Sequence, residues 1–198
     1  MRFAAGRNRN SVKTVLIMVP LLVVLGFGAG TKFVHVRKDL VAKREAVNKG
    51  WTQVETALHN RADLVPNLVE TMKEAAEFDT GAFKEIADAR AALAGGRTPQ
   101  EEIQANDQLS AALGRLLLLS ERYPQLRSDE DFRRLQDAIA EKENDIAIER
   151  RKYNETLEHY NAQIQMFPDN VVANVSGFTR NDQYFPTEPG AGSLPKVQ

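Results

Sequence analysis

The sequence contains no cysteine and only three histidines. Without cysteine the chain cannot form disulfides, use a thiol nucleophile or build a cysteine-ligated metal site. This absence does not select a compartment, because proteins on either side of a membrane can lack cysteine. The histidines are isolated, and none has a second histidine at metal-ligand spacing: His35, His59 and His159. The sequence therefore predicts no metal site and no cofactor.

Strand signals and excess charge are also missing. No stretch alternates polar and apolar residues for long enough to predict a β-strand. The 26 basic residues nearly balance the 27 acidic ones, so there is no net electrostatic attraction to nucleic acid. Ala, Leu, Glu, Gln and Arg are abundant and favour helix. We predict an all-α protein that has no nucleic-acid partner.

Catalytic patterns are absent as well. No serine has histidine and acid partners in its sequence context, and no glycine-rich loop follows a strand. Glu155, Glu158 and His159 invite comparison with carboxylate-bridged di-metal bundles. Those bundles need Glu-x-x-His motifs, and the residue three places before His159 is Thr156. We predict no enzymatic activity and no catalytic residues.

Charge is absent from residues 14–31, which follow a basic segment at residues 1–13. About 18 helical residues span about 27 Å, enough to cross a bilayer core. We predict a transmembrane anchor at residues 14–34, with the lipid bilayer as a partner. A cleaved signal peptide is the alternative, but residues 26–31 contain no good Ala-x-Ala site. Gly26 and Gly30 have the spacing that brings two membrane helices together.

The orientation of this anchor depends on the basic residues at its two ends. Lys and Arg lie on both flanks, so the positive-inside rule gives no firm orientation. Basic residues ahead of a first apolar segment tend to stay in the cytoplasm. We therefore expect the body of the protein on the non-cytoplasmic side.

One long apolar stripe follows the predicted anchor. Its members recur at steps of three, four or seven residues: Leu40, Val47, Trp51, Val54, Leu58, Val65, Leu68 and Met72. This spacing is close to a heptad seam, and such a stripe requires partner helices. We predict a helix over 32–78, and Pro66 leaves two alternatives. It kinks one continuous helix, or it lies in the first turn of a helix restarted at Asp63.

Further helices are predicted at 83–93, 99–122 and 128–166, separated by Gly and Pro turns. Four consecutive leucines, residues 116–119, predict that the middle helix is the most buried. We expect an elongated antiparallel bundle of about four helices over 35–178 and a flexible tail over 179–198. Residues 169–185 are apolar enough to pack on the bundle. The predicted core includes Trp51, Leu68, Leu113, Leu116, Ile139 and Ile146.

Polar residues lie close to the apolar stripes of the two longest helices. They are Arg61, Asp63, Asn67, Glu143, Asn144, Arg150 and Asn154. A polar group near a core needs a partner, so one interpretation is a hydrogen-bond network that fixes the register of the bundle. The other is a polar groove for a ligand or a protein. We expect some of these residues to meet across the bundle, with Asp63 and Arg150 as the pair to test.

Several blocks of this sequence match one family in order and spacing. They are Leu58-x-x-Arg61-x-Asp63-Leu64-Val65-Pro66-Asn67-Leu68-Val69, Leu109-Ser110-Ala111-Ala112-Leu113-Gly114-Arg115-Leu116, Tyr123-Pro124, Phe132-x-x-Leu135-Gln136, Glu143-Asn144-x-Ile146-Ala147, Arg150-x-x-Tyr153-Asn154, Tyr160-Asn161 and Phe167-Pro168-x-Asn170. Over about residues 40–178 the chain resembles LemA family proteins. The resemblance implies a single-pass protein of the bacterial cytoplasmic membrane with a helical bundle. It implies no particular biochemical activity.

Two functions of different classes remain at this point. The first is a membrane-anchored scaffold or adaptor with an unidentified protein partner or self-association, in membrane or envelope organisation. The second is a ligand-sensing bundle, or an enzyme, that uses the polar set Arg61, Asp63, Glu143, Arg150 and Tyr153. Side chains that satisfy one another and enclose no cavity would favour the scaffold.

Overall fold

A computed structural model describes residues 9–75 and 80–186. These residues form seven helices and no strand, so the predicted all-α class is confirmed. The helices are α1 (Arg9–Ala62), α2 (Val65–Ala75), α3 (Thr80–Gly95), α4 (Pro99–Ser120), α5 (Pro124–Ser128), α6 (Glu130–Gln163) and α7 (Asp169–Ser176). The short helices α5 and α7 were not predicted, so the described part of the bundle has more elements than expected.

The predicted helix over 32–78 is two helices. After Ala62 the backbone closes a turn, in which the Leu64 amide donates to the Arg61 carbonyl at 3.1 Å. Helix α2 then begins at Val65, with Pro66 in its first turn, where a missing amide donor costs nothing. The restart alternative is therefore correct, although it begins two residues after Asp63. Residues 76–78 of the predicted helix lie outside the described residues.

The bundle is built on an antiparallel pair, α1 and α6. On α6 every seventh residue is buried: Phe132, Ile139, Ile146, Tyr153 and Tyr160. The contacts between the helices show the direction of pairing. Gln163 donates to Asp39 at 2.6 Å, Gly50 lies against Tyr153, and Arg61 reaches Glu143. The residue numbers on α6 decrease along these contacts as those on α1 increase, as expected for an antiparallel pair of helices.

Other elements cover this pair at two levels. Helix α7 packs on the part of α1 nearer the N terminus, and residues 178–185 run along the same level of α6. Helices α2 and α5 pack on the opposite end of α6. The hairpin of α3 and α4, whose two helices pack chiefly on each other, touches α1 beside this second level. We call the two levels the α7 end and the α2 end.

The predicted core is largely confirmed. Leu68, Leu113, Leu116, Ile139 and Ile146 are buried, and Trp51 is half-buried. The expectation for the four leucines of α4 is wrong in one respect. Leu116 is fully buried, but Leu118 is 65% exposed, because α4 turns only one face toward its neighbours. The Leu119 side chain lies outside the described residues.

The predicted tail and the predicted anchor are only partly described. Residues 179–186 lie against the bundle and place Phe185 in its core, whereas 187–198 fall outside the described residues. Among the residues described, we find no helix with the length and apolarity needed to cross a bilayer. The side chains of residues 14–17, 19–26 and 29, most of the predicted anchor, lie outside the described set.

Candidate functional site

A buried arginine lies where the α1–α6 pair meets α4. The side chain of Arg61 is 1% exposed. Its Nη1 donates to Ser110 Oγ at 2.9 Å and to the Glu143 carboxylate, and its Nη2 donates to Asn106 Oδ1 at 2.5 Å. Two helices, α4 and α6, therefore supply acceptors to a guanidinium on a third, α1. We call these four residues the Arg61 network.

The sequence places Arg61 there by continuing the seam. Leu40, Val47 and Val54 are buried at seven-residue intervals on α1, and Arg61 occupies the next position in the series. A polar residue at such a position specifies register, because only one alignment of the helices supplies its partners. The expected meeting of polar residues across the bundle is confirmed for Arg61 and Glu143.

The electrostatics of the network reflect its burial. Burial lowers the pKa of the Arg61 guanidinium to about 10; the charge of Arg150 acts in the same direction and the Asp107 carboxylate opposes it. At neutral pH Arg61 is still charged, so a buried positive charge depends on nearby acceptors. Its Nε has no hydrogen-bond partner within the described part of the chain.

Arg150 on α6 contacts two elements, α4 and the segment that follows α7. Its Nη2 lies 3.6 Å from Asp107 Oδ1 on α4, and its guanidinium stands 4.7 Å from the centre of the Phe185 ring. The first contact is an ion pair and the second is a cation–π contact. Arg150 thus joins the α3–α4 hairpin to the segment that follows α7.

The pairing predicted for Asp63 and Arg150 is wrong. Asp63 is in the exposed turn between α1 and α2, and its Oδ1 lies 3.7 Å from Arg90 Nη2 on α3. Asp63 comes two positions after the seam residue Arg61, which is about 200° around a helix, so it lies off the face that meets α6. Asn67 and Asn144 are exposed on their helices. The five residues proposed as one polar set therefore do not converge on one groove.

Tyr153, the fifth member of that set, belongs to an aromatic cluster. Its ring meets Trp51 edge-on at 5.6 Å, and Phe185 at 5.9 Å, while Trp51 and Phe185 stack at 5.7 Å. Burial raises the pKa of Tyr153, and its neighbour Tyr184 adds to the shift. Aromatic contacts of this kind contribute about 0.5–1.5 kcal/mol each beyond the area they bury. The role of Tyr153 is thus in packing.

Two asparagines of α6 hold the segment 178–186, a function that sequence reasoning missed. Asn154 Nδ2 donates to the Phe185 carbonyl at 2.9 Å, and the Phe185 amide donates back to Asn154 Oδ1 at 3.0 Å. One heptad on, Asn161 makes the same pair of contacts with the Asn181 backbone. Tyr160 OH donates to the Thr179 carbonyl at 2.9 Å. The repeated Tyr-Asn dipeptide, Tyr153-Asn154 and Tyr160-Asn161, was the available signal.

Grooves on the bundle surface are lined by other residues. One of about 360 Å³ runs between α1 and α6, with Gln53, Asn60, Lys142 and Glu149 on its walls. Neither Arg61 nor Arg150 lines it. The Arg61 network is therefore engaged in joining helices, and its acceptors already occupy the positions that an anionic ligand would take.

Groups able to hold a metal occur elsewhere. Glu55, His59 and Glu102 bring their ligand atoms within 4.8 Å of one another. Glu155 and His159, which the sequence analysis compared with a di-metal motif, form only an exposed pair on one helix, 3.8 Å apart.

These observations define a class of protein: an elongated all-helical bundle, organised by an antiparallel heptad pair and a buried arginine at the seam. The LemA family model matches residues 50–198, and the chain belongs to the LemA family. It is similar to magnetosome proteins MamQ 2 and MamQ 1 of Paramagnetospirillum magneticum, each 26% identical over an alignment covering 94% of this chain and 74% of theirs. Magnetosome protein MamQ of Magnetospirillum gryphiswaldense is 25% identical, over 83% of this chain and 67% of its own.

Proposed function

We propose that this protein is a single-pass, membrane-anchored scaffold whose helical bundle presents a binding surface close to the membrane. One observation carries the proposal. Helix α1 runs without a turn from Arg9 to Ala62, so the segment predicted as the anchor, residues 14–34, continues directly into the seam of the bundle. A bilayer segment joined in this way fixes the bundle relative to the membrane surface.

The α7 end of the bundle supports this placement. The hydrogen bond between Gln163 and Asp39 sets the end of α6 beside α1, about 12 Å along the helix from Thr31. Exposed apolar side chains are concentrated just beyond it: Met166, Phe167, Val171 and Val175. Phe167 is 82% exposed. We propose that these residues face the lipid surface, where large exposed apolar groups are stabilised.

A scaffold is favoured over an enzyme because the polar residues of the seam satisfy one another. Acceptors on α4 and α6 hold Arg61, and Asp107 and Phe185 hold Arg150. The MamQ relatives are named as magnetosome proteins, which supports a membrane-associated role for this chain. We assign the chain to the bacterial cytoplasmic membrane, with the bundle on its non-cytoplasmic side and a protein partner or a second copy bound to it.

Extraction of membranes with alkaline carbonate tests the anchor. The full-length protein should remain in the pellet, and a variant lacking residues 1–35 should move to the soluble fraction with its helical circular dichroism intact. Full-length protein in the supernatant, or a mature N terminus near Gly30, would overturn the proposal. Crosslinking in intact membranes then identifies the partner, and protease access from outside the cytoplasm reports the orientation.

The ligand-sensing alternative makes a different prediction for the same bundle. If a ligand bound at Arg61 or Arg150, changing either residue would abolish cellular activity and leave the thermal midpoint unchanged. If they are structural, activity and stability fall together. Complementation of a deletion strain, read beside the melting curve of each variant, separates the two functions.

A further inference from the structure

A cluster of three ionisable side chains lies between α1 and α4, apart from the Arg61 network. Glu55 and His59 are one turn apart on the same face of α1. Glu102 comes from the first turns of α4, and one ligand atom from each residue lies within 4.8 Å of the others. The cluster supplies one imidazole nitrogen and two carboxylates.

Glu102 is the unusual member. It is 5% exposed, and its Oε2 has no hydrogen-bond partner among the described residues. Burial raises the pKa of Glu102; the Glu55 carboxylate raises it further and His59 lowers it. A buried carboxylate without a donor is costly. A cation bound between Glu102 Oε2 and the nearby Glu55 carboxylate would offset this cost.

The chain before α4 holds Glu102 in this position. A Cβ added at Gly96 would lie 2.6 Å from Glu102 Cγ, so the turn approaches the side chain as closely as only glycine allows. Glu55 and His59 are half-exposed, so they can adjust toward a bound ion. One fixed ligand and two adjustable ones leave an open side for water.

We propose that Glu55, His59 and Glu102 bind a first-row divalent metal ion, for which Zn²⁺ is the probe. Zn²⁺ accepts histidine nitrogen and carboxylate oxygen, and open sites use three protein ligands with water as the fourth. Ligands about 2.1 Å from a tetrahedral ion stand about 3.4 Å apart, so ligand atoms now within 4.8 Å of one another must approach by at most about 1.4 Å. Imidazole favours Zn²⁺ over Mg²⁺ or Ca²⁺ in this mixed set.

Such an ion would strengthen the contact between the α3–α4 hairpin and α1. The α3–α4 hairpin touches α1 through few residues, and the metal would tie the two together. Asn106, one turn after Glu102, accepts a hydrogen bond from Arg61, so the ion would also steady the Arg61 network. The proposal does not depend on the anchoring role.

The test uses the full-length protein in detergent micelles, freed of metal with a chelator. Titration calorimetry with ZnCl₂ should show one saturable site per chain, and Zn²⁺ should raise the thermal midpoint. MgCl₂ at the same concentration should do neither. Glu102→Gln, His59→Asn and Glu55→Gln should each weaken Zn²⁺ binding by at least the ~10- to 100-fold that loss of an outer-shell group produces.

His159→Asn is the matched control, because Glu155 and His159 repeat the Glu-x-x-x-His spacing but have no buried third carboxylate among the residues that the structure describes. This variant should bind Zn²⁺ as the unchanged protein does. Circular dichroism confirms folding, and Glu55→Gln, at a half-exposed position, keeps the test valid if Glu102→Gln unfolds. The proposal is overturned if no saturable site exists, if the three ligand variants bind normally, or if His159→Asn removes the binding.

Discussion

At the scale of single residues, the Arg61 guanidinium is tolerated in the core because each partner stands at a fixed place on another helix. Asn106 is as buried as Arg61, whereas Glu143 is half-exposed and can be solvated. The two buried members therefore depend on each other more than either depends on Glu143. A charge that loses a buried acceptor cannot recover it from water.

Asn106→Leu should destabilise the protein by about 1–3 kcal/mol, because it leaves buried guanidinium donors unsatisfied. Arg61→Met combined with Asn106→Leu removes both polar groups and should restore much of that loss. Thermal or urea unfolding followed by circular dichroism measures both. Asp63→Asn, in the exposed turn, is the control and should stay within about 0.5 kcal/mol. Additive effects of the two core changes would show that Arg61 and Asn106 are not coupled.

The buried tyrosines make stability sensitive to alkaline pH. Burial raises the pKa of Tyr160, against a smaller opposing effect of Arg44, and burial also raises the pKa of Tyr153. Their phenols keep protons in the folded chain at a pH where the unfolded chain has released them. Their contribution is thus complete below about pH 10, the unfolded pKa, and is lost as the pH rises through the higher folded values.

Urea unfolding between pH 8 and pH 11.5 should show stability falling above about pH 10. The double variant Tyr153→Phe and Tyr160→Phe should have a shallower fall, although its stability at pH 8 is lower. Absorbance of tyrosinate near 295 nm reports the ionisation directly. An equal slope in the variant would mean that other groups cause the alkaline loss.

At the scale of elements, the two apolar stripes could be predicted from the sequence because the buried seam positions of α1 and α6 recur every seven residues. The short helices were not readable. Helix α5, at residues 124–128, is too short to show a hydrophobic period. Helix α7 is stabilised by its contacts with α1. The break after Ala62 was offered only as an alternative, since Pro66 is compatible with a kink as well as with a first turn.

Leu116→Ala on α4 should destabilise the protein by about 2–5 kcal/mol, because the side chain is fully buried and its removal leaves a cavity. Leu118→Ala, two residues further on the same helix and mostly exposed, should change stability by less than about 0.5 kcal/mol. Melting curves of the two variants measure the contrast. Equal effects would mean that α4 packs through a different face.

The segment 178–186 can be followed through Trp51, the only tryptophan in the chain. Asn161→Ala removes both contacts with the Asn181 backbone, so the segment should loosen and Phe185 should leave the Trp51 ring. We expect the tryptophan emission to shift to longer wavelength at a temperature where the helices remain folded. Asn144→Ala, at an exposed asparagine of the same helix, should leave the emission unchanged. An unshifted spectrum in Asn161→Ala would contradict this role for the asparagine.

At the scale of the whole molecule, the sequence predicted a long antiparallel bundle and its main core residues, because period and burial are local properties. It could not predict which polar residues meet. Asp63 lies beside Arg90 because α3 packs against the end of α1, and Glu102 lies beside Glu55 because the α3–α4 hairpin folds back on α1. Such pairings depend on the relative placement of helices far apart in the chain.

The proposed contact between the α7 end and the bilayer predicts which exposed positions, when changed to tryptophan, will contact lipid. In a Trp51→Phe background, Phe167→Trp in vesicles should be quenched by lipids brominated near the headgroup. Leu118→Trp, at another exposed position but on α4 toward the α2 end, should not be quenched. Equal quenching at both positions, or none at Phe167, would place this end of the bundle away from the membrane.

The unbroken passage of α1 into the bundle has a rotational consequence. A helix advances about 100° per residue, so deleting one residue between Thr31 and Leu40 would rotate the face of the bundle by about 100° relative to the proposed anchor. Inserting seven residues would return it to within about 20° of the original direction while lifting it about 10 Å. The number of residues between Thr31 and Leu40 therefore sets both the rotation of the bundle and its distance from the proposed anchor. The length of this segment thus determines the direction in which the bundle would present its proposed partner at the membrane.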